Sequence, residues 1–138
     1  MFVRDWMTKN PKVVPSKTPV MEAMQTLREG GYRRLPVVDN GKLVGIATDK
    51  DLKEATPSKA STLSVYELNY LLSKLTIKDV MKTPVYSVAA DDPVEKAALI
   101  MEEKKVSGFT VVESANSDKV VGILTITDIL RAFVTALG

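Results

Sequence analysis

The chain contains two copies of one short sequence, and this repeat constrains the fold more than any other feature. Val3-Arg-Asp-Trp-Met-Thr8 returns as Ile77-Lys-Asp-Val-Met-Lys82, a shift of 77 − 3 = 74 positions. The run Leu43–Leu52 returns as Val120–Ile129, and its glycines are 122 − 45 = 77 positions apart, so the second copy carries three extra residues. A repeat this small cannot bury its apolar face alone, so the copies are expected to be stable only together.

Each copy shows the same order of local patterns. Met21, Met24 and Leu27 have the spacing of a buried helical stripe. Asp39-Asn-Gly41, between two β-rich runs, predicts a hairpin. An extended stretch, Lys12–Pro15 in the first copy, precedes the first helix, and a second helix ends each repeat. The order β-α-β-β-α, found twice, predicts an α+β fold, a tandem pair of repeats with pseudo-two-fold symmetry.

The repeat also sets the expected domain boundaries. Residues 1–55 form the first repeat, 56–76 a linker, and 77–138 the second repeat. Within the linker, Ser64-Val-Tyr-Glu67 has the pattern of a capping box and is followed by Leu68, Leu71, Leu72 and Leu75. The linker is therefore expected to contain a short amphipathic helix.

Composition excludes several kinds of chemistry. The 138 residues include no cysteine and no histidine, which removes thiol nucleophiles, the commonest general base and the commonest transition-metal ligands. No metal site and no catalytic activity are expected. A net charge of +2 with interspersed signs makes nucleic acid an unfavoured partner. No apolar run approaches the roughly 18–20 residues of a membrane span, and Asp5 interrupts the N-terminal stretch, so we expect a cytoplasmic protein.

The sharpest local motif is Gly-h-x-Thr-x-x-Asp, in which h is apolar. It occurs as Gly45–Asp51 and as Gly122–Asp128, each where a predicted strand enters a helix. Helix N-termini attract anionic groups, and a carboxylate there can accept hydrogen bonds from vicinal hydroxyls, which suits a nucleoside. The alternative is that these residues only cap helices. We expect the caps to be Asp49 and Thr127. Loss of Asp51 or Asp128, each a carboxylate in the first turn of its helix, is expected to cost about 0.3–1 kcal/mol of stability.

These residues carry a resemblance that covers essentially the whole chain. Leu35-Pro-Val-Val-Asp39, Leu43-Val-Gly-Ile46 and both Thr-x-x-Asp turns resemble those of a tandem pair of CBS (cystathionine β-synthase) domains, a Bateman module. The stretches Asp51–Ser58 and Tyr70–Leu75 look more narrowly like the acetoin-utilisation AcuB-type branch.

The resemblance implies two clefts between the repeats that bind adenosine nucleotides or S-adenosylmethionine. In one cleft, Thr125, Thr127 and Asp128 would face Asn10, Lys12, Tyr32 and Arg33. In the other, Thr48 and Asp51 would face Tyr86, Val106 and Ser107. The aspartates would hold ribose hydroxyls, and Arg131 is a further phosphate candidate. Tyr32-Arg33-Arg34 is either a phosphate clamp with a stacking ring or a solvated turn.

The expected function is regulatory ligand sensing without catalysis. AMP, ADP, ATP or S-adenosylmethionine would be the regulatory ligand, no cofactor would be obligatory, and a regulated protein partner is possible. The alternative is a purely structural dimerisation module with vestigial clefts.

Two further expectations concern packing. The second helices carry more apolar residues than one small sheet can cover, which predicts a homodimer. These residues are Leu52, Ile129, Leu130, Phe133, Val134 and Leu137. Met7 and Met81, at matching positions, are expected to fill the core rather than bind a ligand.

Overall fold

The computed structural model describes residues 1–55 and 64–138. A 3-10 turn at Val3–Asp5 precedes the first strand. The elements then run in chain order as β1 (Thr8–Lys9), α1 (Val20–Gly30), β2 (Arg34–Asp39), β3 (Lys42–Thr48), α2 (Asp49–Ala55), α3 (Val65–Lys74), α4 (Ile77–Val80), β4 (Ser87–Ala89), α5 (Val94–Lys104), β5 (Gly108–Val112), β6 (Val120–Thr125) and α6 (Ile126–Leu137). The second copy follows the predicted order β-α-β-β-α, and helices with small sheets make the fold α+β, as expected.

The chain forms two compact units whose boundaries differ from those of the sequence repeats. Unit 1 comprises Met1–Pro11 and Val85–Gly138, and unit 2 comprises Lys12–Pro84. The opening segments of the repeats, Val3–Thr8 and Ile77–Lys82, are thus exchanged: each belongs to the unit built on the other copy. Val3 and Ile77, at equivalent positions, are both fully buried in those units.

Unit 1 contains a four-stranded sheet in the order β1-β6-β5-β4. β4 runs parallel to β5, whereas β5–β6 and β1–β6 are antiparallel. Alternate sheet residues, such as Phe109, Val111 and Leu124, point into one core with residues of α5 and α6. This alternation places one sheet face on the helices.

Unit 2 repeats this plan with fewer paired residues. β2 and β3 form an antiparallel hairpin. The extended stretch predicted at Lys12–Pro15 is reduced to one parallel bridge from Val14 to Val37, the counterpart of the β4–β5 pairing. A second isolated bridge joins Ile46 to Lys82 and corresponds to the β1–β6 pairing. Val14, Leu35, Leu52 and Ile77 are buried in one core.

The predicted hairpin at Asp39–Gly41 forms. Asp39 pairs with Lys42, and the two residues between them, Asn40 and Gly41, have φ angles of 51° and 78°. Positive φ at both central residues defines the turn type whose twist matches the flanking strands, and asparagine followed by glycine adopts it most readily. The hairpin brings Thr48 to the position where α2 begins.

Glycines in β3 and β6 allow the methionines of the opening segments to pack closely. A Cβ atom on Gly45 would clash with the Met81 Sδ, and one on Gly122 would clash with the Met7 Sδ. Both methionines are partly buried against the core of their unit, which confirms their expected role as core fillers. The matching glycines are therefore explained by packing.

The amphipathic helix predicted within the linker forms as α3. Residues 56–63 lie outside the described part of the chain, and α3 begins after Ser64. The Ser64 hydroxyl accepts a hydrogen bond from the Glu67 N–H at 3.1 Å, so the predicted cap is present. Leu72 is buried, whereas Leu71 is 46% exposed. Among the described residues, no helix is long and apolar enough to cross a membrane.

The two glycine contacts predict unequal effects of the same substitution. In Gly122→Ala the new methyl would also lie 2.9 Å from the Thr8 carbonyl oxygen, whereas in Gly45→Ala it meets only the flexible Met81 side chain. Because backbone cannot move aside as a thioether can, we expect Gly122→Ala to lose about 1–3 kcal/mol of stability and Gly45→Ala less. Urea unfolding of both variants measures the difference; equal losses would contradict the packing described.

Candidate functional site

Each Thr-x-x-Asp motif forms a reciprocal pair of hydrogen bonds at the start of a helix. The Thr48 N–H donates to the Asp51 Oδ2 at 3.0 Å, and the Asp51 N–H donates back to the Thr48 Oγ1 at 3.1 Å. In the second copy, the corresponding distances between Thr125 and Asp128 are 2.9 and 3.4 Å. Two backbone donors that a helix start leaves unpaired are thereby satisfied at each turn.

This geometry corrects the predicted caps. Thr48 and Thr125 accept the capping hydrogen bonds, so the prediction of Asp49 and Thr127 is wrong by one and two positions. Asp49 instead makes an ion pair with Lys53 at 3.0 Å, and Thr127 is exposed on α6. The strand extends further toward the helix than local sequence preference indicates, which moves the cap to the last strand residue.

Both aspartates are buried, which corrects the loss of stability expected when either carboxylate is removed. Asp51 is 6% exposed and Asp128 is 5% exposed. The expected loss of about 0.3–1 kcal/mol assumed an exposed helix end. Because removing either carboxylate leaves backbone donors unpaired in a buried place, the loss of stability is closer to 1–3 kcal/mol. Capping of α2 and α6 is therefore a role that the structure gives to these residues.

The second oxygen of each carboxylate faces a cation. The Asp51 Oδ1 lies 3.2 Å from the Lys82 Nζ, and the Asp128 Oδ1 lies 3.4 Å from an Arg131 guanidinium nitrogen. The side chains of Lys82 and Arg131 are 66% and 61% exposed. Such cations are weakly held, since an exposed side chain loses rotamer freedom when it pairs. The oxygen that is not needed for capping thus has a weakly held, exposed cation as its partner.

Sequence reasoning missed Lys82. This residue closes the opening segment, directly after Met81, and the exchange of segments carries it to the first copy's turn. Its counterpart in the first copy is the uncharged Thr8, so a comparison of the two copies does not indicate a cation at this position. Arg131, predicted as a phosphate candidate, contacts Asp128. The two turns therefore use cations from unrelated positions.

The remaining predicted site residues are distributed over both units. Unit 1 holds Asn10, Tyr86, Val106, Ser107, Thr125, Thr127 and Asp128, and unit 2 holds Lys12, Tyr32, Arg33, Thr48 and Asp51. In each copy, an equivalent backbone hydrogen bond joins the segment after the first helix, α1 or α5, to the first residue of the second helix, α2 or α6. The Asp49 N–H donates to the Arg33 carbonyl at 3.2 Å, and the Ile126 N–H donates to the Ser107 carbonyl at 2.8 Å. Each turn thus lies beside the matching segment of its own copy.

Three of these residues have well-defined local settings. Asn10 has a φ of 53° and donates its N–H to the Val121 carbonyl. Tyr86 carries the Lys104 ammonium 5.6 Å from its ring centroid, a cation–π contact. The Val106 N–H donates to the Met101 carbonyl and so closes α5. Lys12 is exposed.

The family comparison agrees with this duplicated architecture. The CBS domain model matches residues 3–58 and 77–135, and the chain belongs to the CBS domain family. L-aspartate semialdehyde sulfurtransferase of Methanocaldococcus jannaschii is 34% identical over 133 residues, which cover 96% of this chain but 23% of that protein. A CBS domain-containing protein of Dictyostelium discoideum is 29% identical over 138 residues and is covered to 94% of its length.

Solved structures of CBS domain pairs share the fold. The pair of protein MJ0100, in complex with 5′-methylthioadenosine and S-adenosyl-L-methionine, matches with a TM-score of 0.77 at 33% identity, covering 99% of this chain and 98% of that one. CBSX2 in complex with AMP, a protein of Arabidopsis thaliana, gives 0.76 at 32% identity with the same coverage. A putative acetoin utilization protein (AcuB) from Vibrio cholerae gives 0.75 at 29% identity, covering 99% and 93%. The expected resemblance is confirmed.

The corrected caps give a direct test of the turn geometry. Thr125→Ala removes a hydroxyl that caps α6, and such losses cost about 1 kcal/mol, up to about 2. Thr127→Ala changes an exposed threonine two positions along and should leave stability within about 0.5 kcal/mol of the parent. Thermal or urea unfolding of the two variants decides; a larger loss in Thr127→Ala would restore the cap predicted from sequence.

Proposed function

We propose that this CBS domain pair binds an adenosine-containing metabolite and acts as a regulatory module without catalysing a reaction. The candidate ligands are AMP, ADP, ATP and S-adenosylmethionine. The proposal rests on one observation. One oxygen of each aspartate accepts a capping hydrogen bond, and the other oxygen faces a displaceable cation.

The chemistry of that second oxygen suits a ribose. A carboxylate oxygen accepts more than one hydrogen bond, and two vicinal hydroxyls can therefore replace one ammonium or guanidinium donor. The carboxylate is already ordered by its capping bonds, so little conformational freedom is lost on binding. The displaced Lys82 or Arg131 then becomes available to an anionic part of the same ligand.

The adenosine part of the proposal is supported by related proteins. The MJ0100 pair was solved with S-adenosyl-L-methionine and 5′-methylthioadenosine, and CBSX2 with AMP. These ligands share an adenosine moiety and differ beyond its 5′ carbon. The shared part is what two equivalent Thr-x-x-Asp turns would recognise. We therefore retain the full predicted set as candidate ligand residues: Asn10, Lys12, Tyr32, Arg33, Thr48, Asp51, Tyr86, Val106, Ser107, Thr125, Thr127 and Asp128.

A bound ligand would act by shifting populations. A ligand can bias an equilibrium only as far as it binds one conformation better than another. Because each turn also starts a helix, a ligand that tightens the turn favours conformations in which α2 or α6 is fully formed. This provides a route from binding to a regulated protein partner.

Asparagine variants separate binding from capping. In Asp51→Asn and Asp128→Asn, the side-chain oxygen can still accept the threonine N–H, but the amide offers a donor where the ribose hydroxyls need an acceptor. Charge-assisted bonds contribute about 1.5–3 kcal/mol, so each variant should lose roughly tenfold to a hundredfold in affinity at its own turn. Calorimetric titration with AMP and S-adenosylmethionine measures this loss.

The melting temperature of the unliganded variants serves as the control. It should change little, because the capping acceptor is retained. If affinity is unchanged in both variants, or if neither ligand binds the parent protein, the turns are structural. The second candidate function, a dimerisation module with vestigial clefts, would then be the better account.

We also propose a homodimer, through α6. Leu52 and Ile129, expected among the surplus apolar residues, are buried at 0% and 4% exposure and belong to the cores. The other expected residues, Leu130, Phe133, Val134 and Leu137, lie exposed on α6. Together with Ile126 they form a continuous apolar face. Apolar surface of this kind is typical of protein–protein contacts, and a second copy of the chain offers the same face.

Charged residues on that face should separate the dimer. We expect the double variant Leu130→Lys and Val134→Lys to shift the mass seen by light scattering to that of the 15.1 kDa monomer. Val65→Lys on α3, where the parent side chain is 76% exposed, is the matched control and should leave the dimer intact. A parent protein that is already monomeric at micromolar concentration would contradict the proposal.

A further inference from the structure

The linker helix α3 has an outer face that the other described residues of the chain leave exposed. On its inner face Leu72 is buried. The Leu75 carbonyl, directly after the helix, accepts a hydrogen bond from the Val20 N–H at 3.0 Å, so α3 is fastened to the start of α1 within unit 2. On the outer face, Tyr66 and Tyr70 are 81% and 54% exposed. The helix is therefore held in place while its aromatic face is accessible.

A groove of about 290 Å³ lies along this outer face. It is lined by Tyr66, Glu67, Tyr70 and Leu71, which we call the α3 patch. Tyr66 and Tyr70 are four positions apart and therefore lie on the same side of the helix, one above the other. Glu67 and Leu71 form the neighbouring row in the same way. The groove thus lies between an aromatic row and a row that carries one carboxylate.

The α3 patch lies outside the duplicated part of the chain. The CBS domain model matches residues 3–58 and 77–135, and α3 lies between these two segments. Two of the four tyrosines of the chain are nevertheless on this ten-residue helix. Tyrosine is enriched where proteins contact their partners. Because the exposed rings are not part of either core, their concentration here indicates an interaction surface.

The two ends of the patch differ in charge. Across residues 1–55 and 64–138, no cation lies within ion-pair distance of the Glu67 carboxylate. At the other end, the Lys74 Nζ lies 4.5 Å from the centroid of the Tyr70 ring, a cation–π contact. The first turn of α3 therefore presents an unpaired negative charge, and the last turn presents a positive one.

The size of the patch favours a short peptide over a second folded copy of the chain. Tyrosine side chains bury about 150–250 Å² each, so complete cover of Tyr66 and Tyr70 removes at most about 500 Å² from water. A standard interface takes about 800 Å² from each partner. The ten residues of α3 extend about 15 Å. An extended polyproline II chain covers that length with about five residues.

We propose that the α3 patch binds a proline-rich peptide segment of a partner protein that has a basic residue at one end. Proline-rich segments adopt the polyproline II helix, which aromatic-lined grooves recognise. The backbone carbonyls of this helix make no internal hydrogen bonds, and its prolines have no N–H. Such a segment therefore presents acceptors, which the hydroxyls of Tyr66 and Tyr70 can meet as donors.

The charges of the patch set the direction of the peptide. Glu67 pairs with the basic residue of the peptide, whereas Lys74 repels a basic residue at the opposite end. The basic end therefore lies beside the first turn of α3. This inference goes beyond the proposed function, because it requires no adenosine ligand.

A polyproline peptide with arginine at one end is the probe, and the same peptide with glutamate in place of arginine is its charge control. Calorimetric titration of the full chain should show tighter binding of the arginine peptide. In the double variant Tyr66→Ala and Tyr70→Ala, which keeps good helix formers on α3, the affinity should fall roughly tenfold or more. The matched control, Met21→Ala with Leu99→Ala, removes exposed apolar side chains from α1 and α5 and should bind as the parent does.

Glu67→Gln tests the charge without removing a ring. The Ser64 cap uses the Glu67 backbone N–H and is retained in this variant. Its affinity for the arginine peptide should fall roughly twofold to fivefold, as expected for an exposed ion pair. Its affinity for the glutamate peptide should not fall. This comparison holds even if the double tyrosine variant unfolds.

Several results would overturn the inference. These are a parent protein that binds neither peptide, equal binding of the two peptides by the parent, or undiminished binding by a folded tyrosine variant. If the parent binds no peptide and the tyrosine variant has a lower mass by light scattering, the patch is a contact between copies of the chain instead. Adenosine binding enters none of these measurements, so the proposed function can fail independently.

Discussion

The reciprocal hydrogen bonds between threonine and aspartate at the two strand-to-helix turns are the interaction on which the candidate sites depend. They pair backbone donors at the starts of α2 and α6 and hold Asp51 and Asp128 in buried positions. Keeping a carboxylate buried is unfavourable unless its oxygens are bonded. Since the capping bonds use one oxygen of each aspartate, the fold itself orients the other. In the proposed function, helix capping and ligand recognition would therefore share the same side chains.

Local sequence patterns predicted the parts of this architecture that local interactions determine. The hairpin at Asn40-Gly41 formed because those residues tolerate positive φ, and the Ser64 cap formed because its partner is three residues away. The pairing of Lys82 with Asp51 spans 82 − 51 = 31 positions and depends on the exchange of opening segments, which no local pattern reveals. The helix caps were predicted at the wrong residues because pairing with β2 or β5 extends the preceding strand. This pairing overrides the local preference of Asp49 and Thr127 for the capping position.

The two copies keep the same backbone plan but differ in charge. Methionine packs on glycine in both, and both turns are capped by threonine. The surface around the turns differs, with arginine and lysine beside α2 and apolar side chains along α6. Such divergence costs little, because exposed positions tolerate substitution while the buried ones do not. The first copy thus has basic side chains beside its second helix, and the second copy has an apolar face along its own.

The exchange of opening segments means that the linear repeat is not the folding unit. Residues 1–55 alone lack Ile77, a fully buried part of unit 2, and residues 77–138 alone lack Val3, its equivalent in unit 1. A single-repeat ancestor could complete its core by borrowing the segment of a second molecule, as domain-swapped dimers do. Fusing two such genes would convert that association into an intramolecular one with a high effective concentration. The covalent connection then fixes the stoichiometry of the two halves and leaves each free to evolve a different surface.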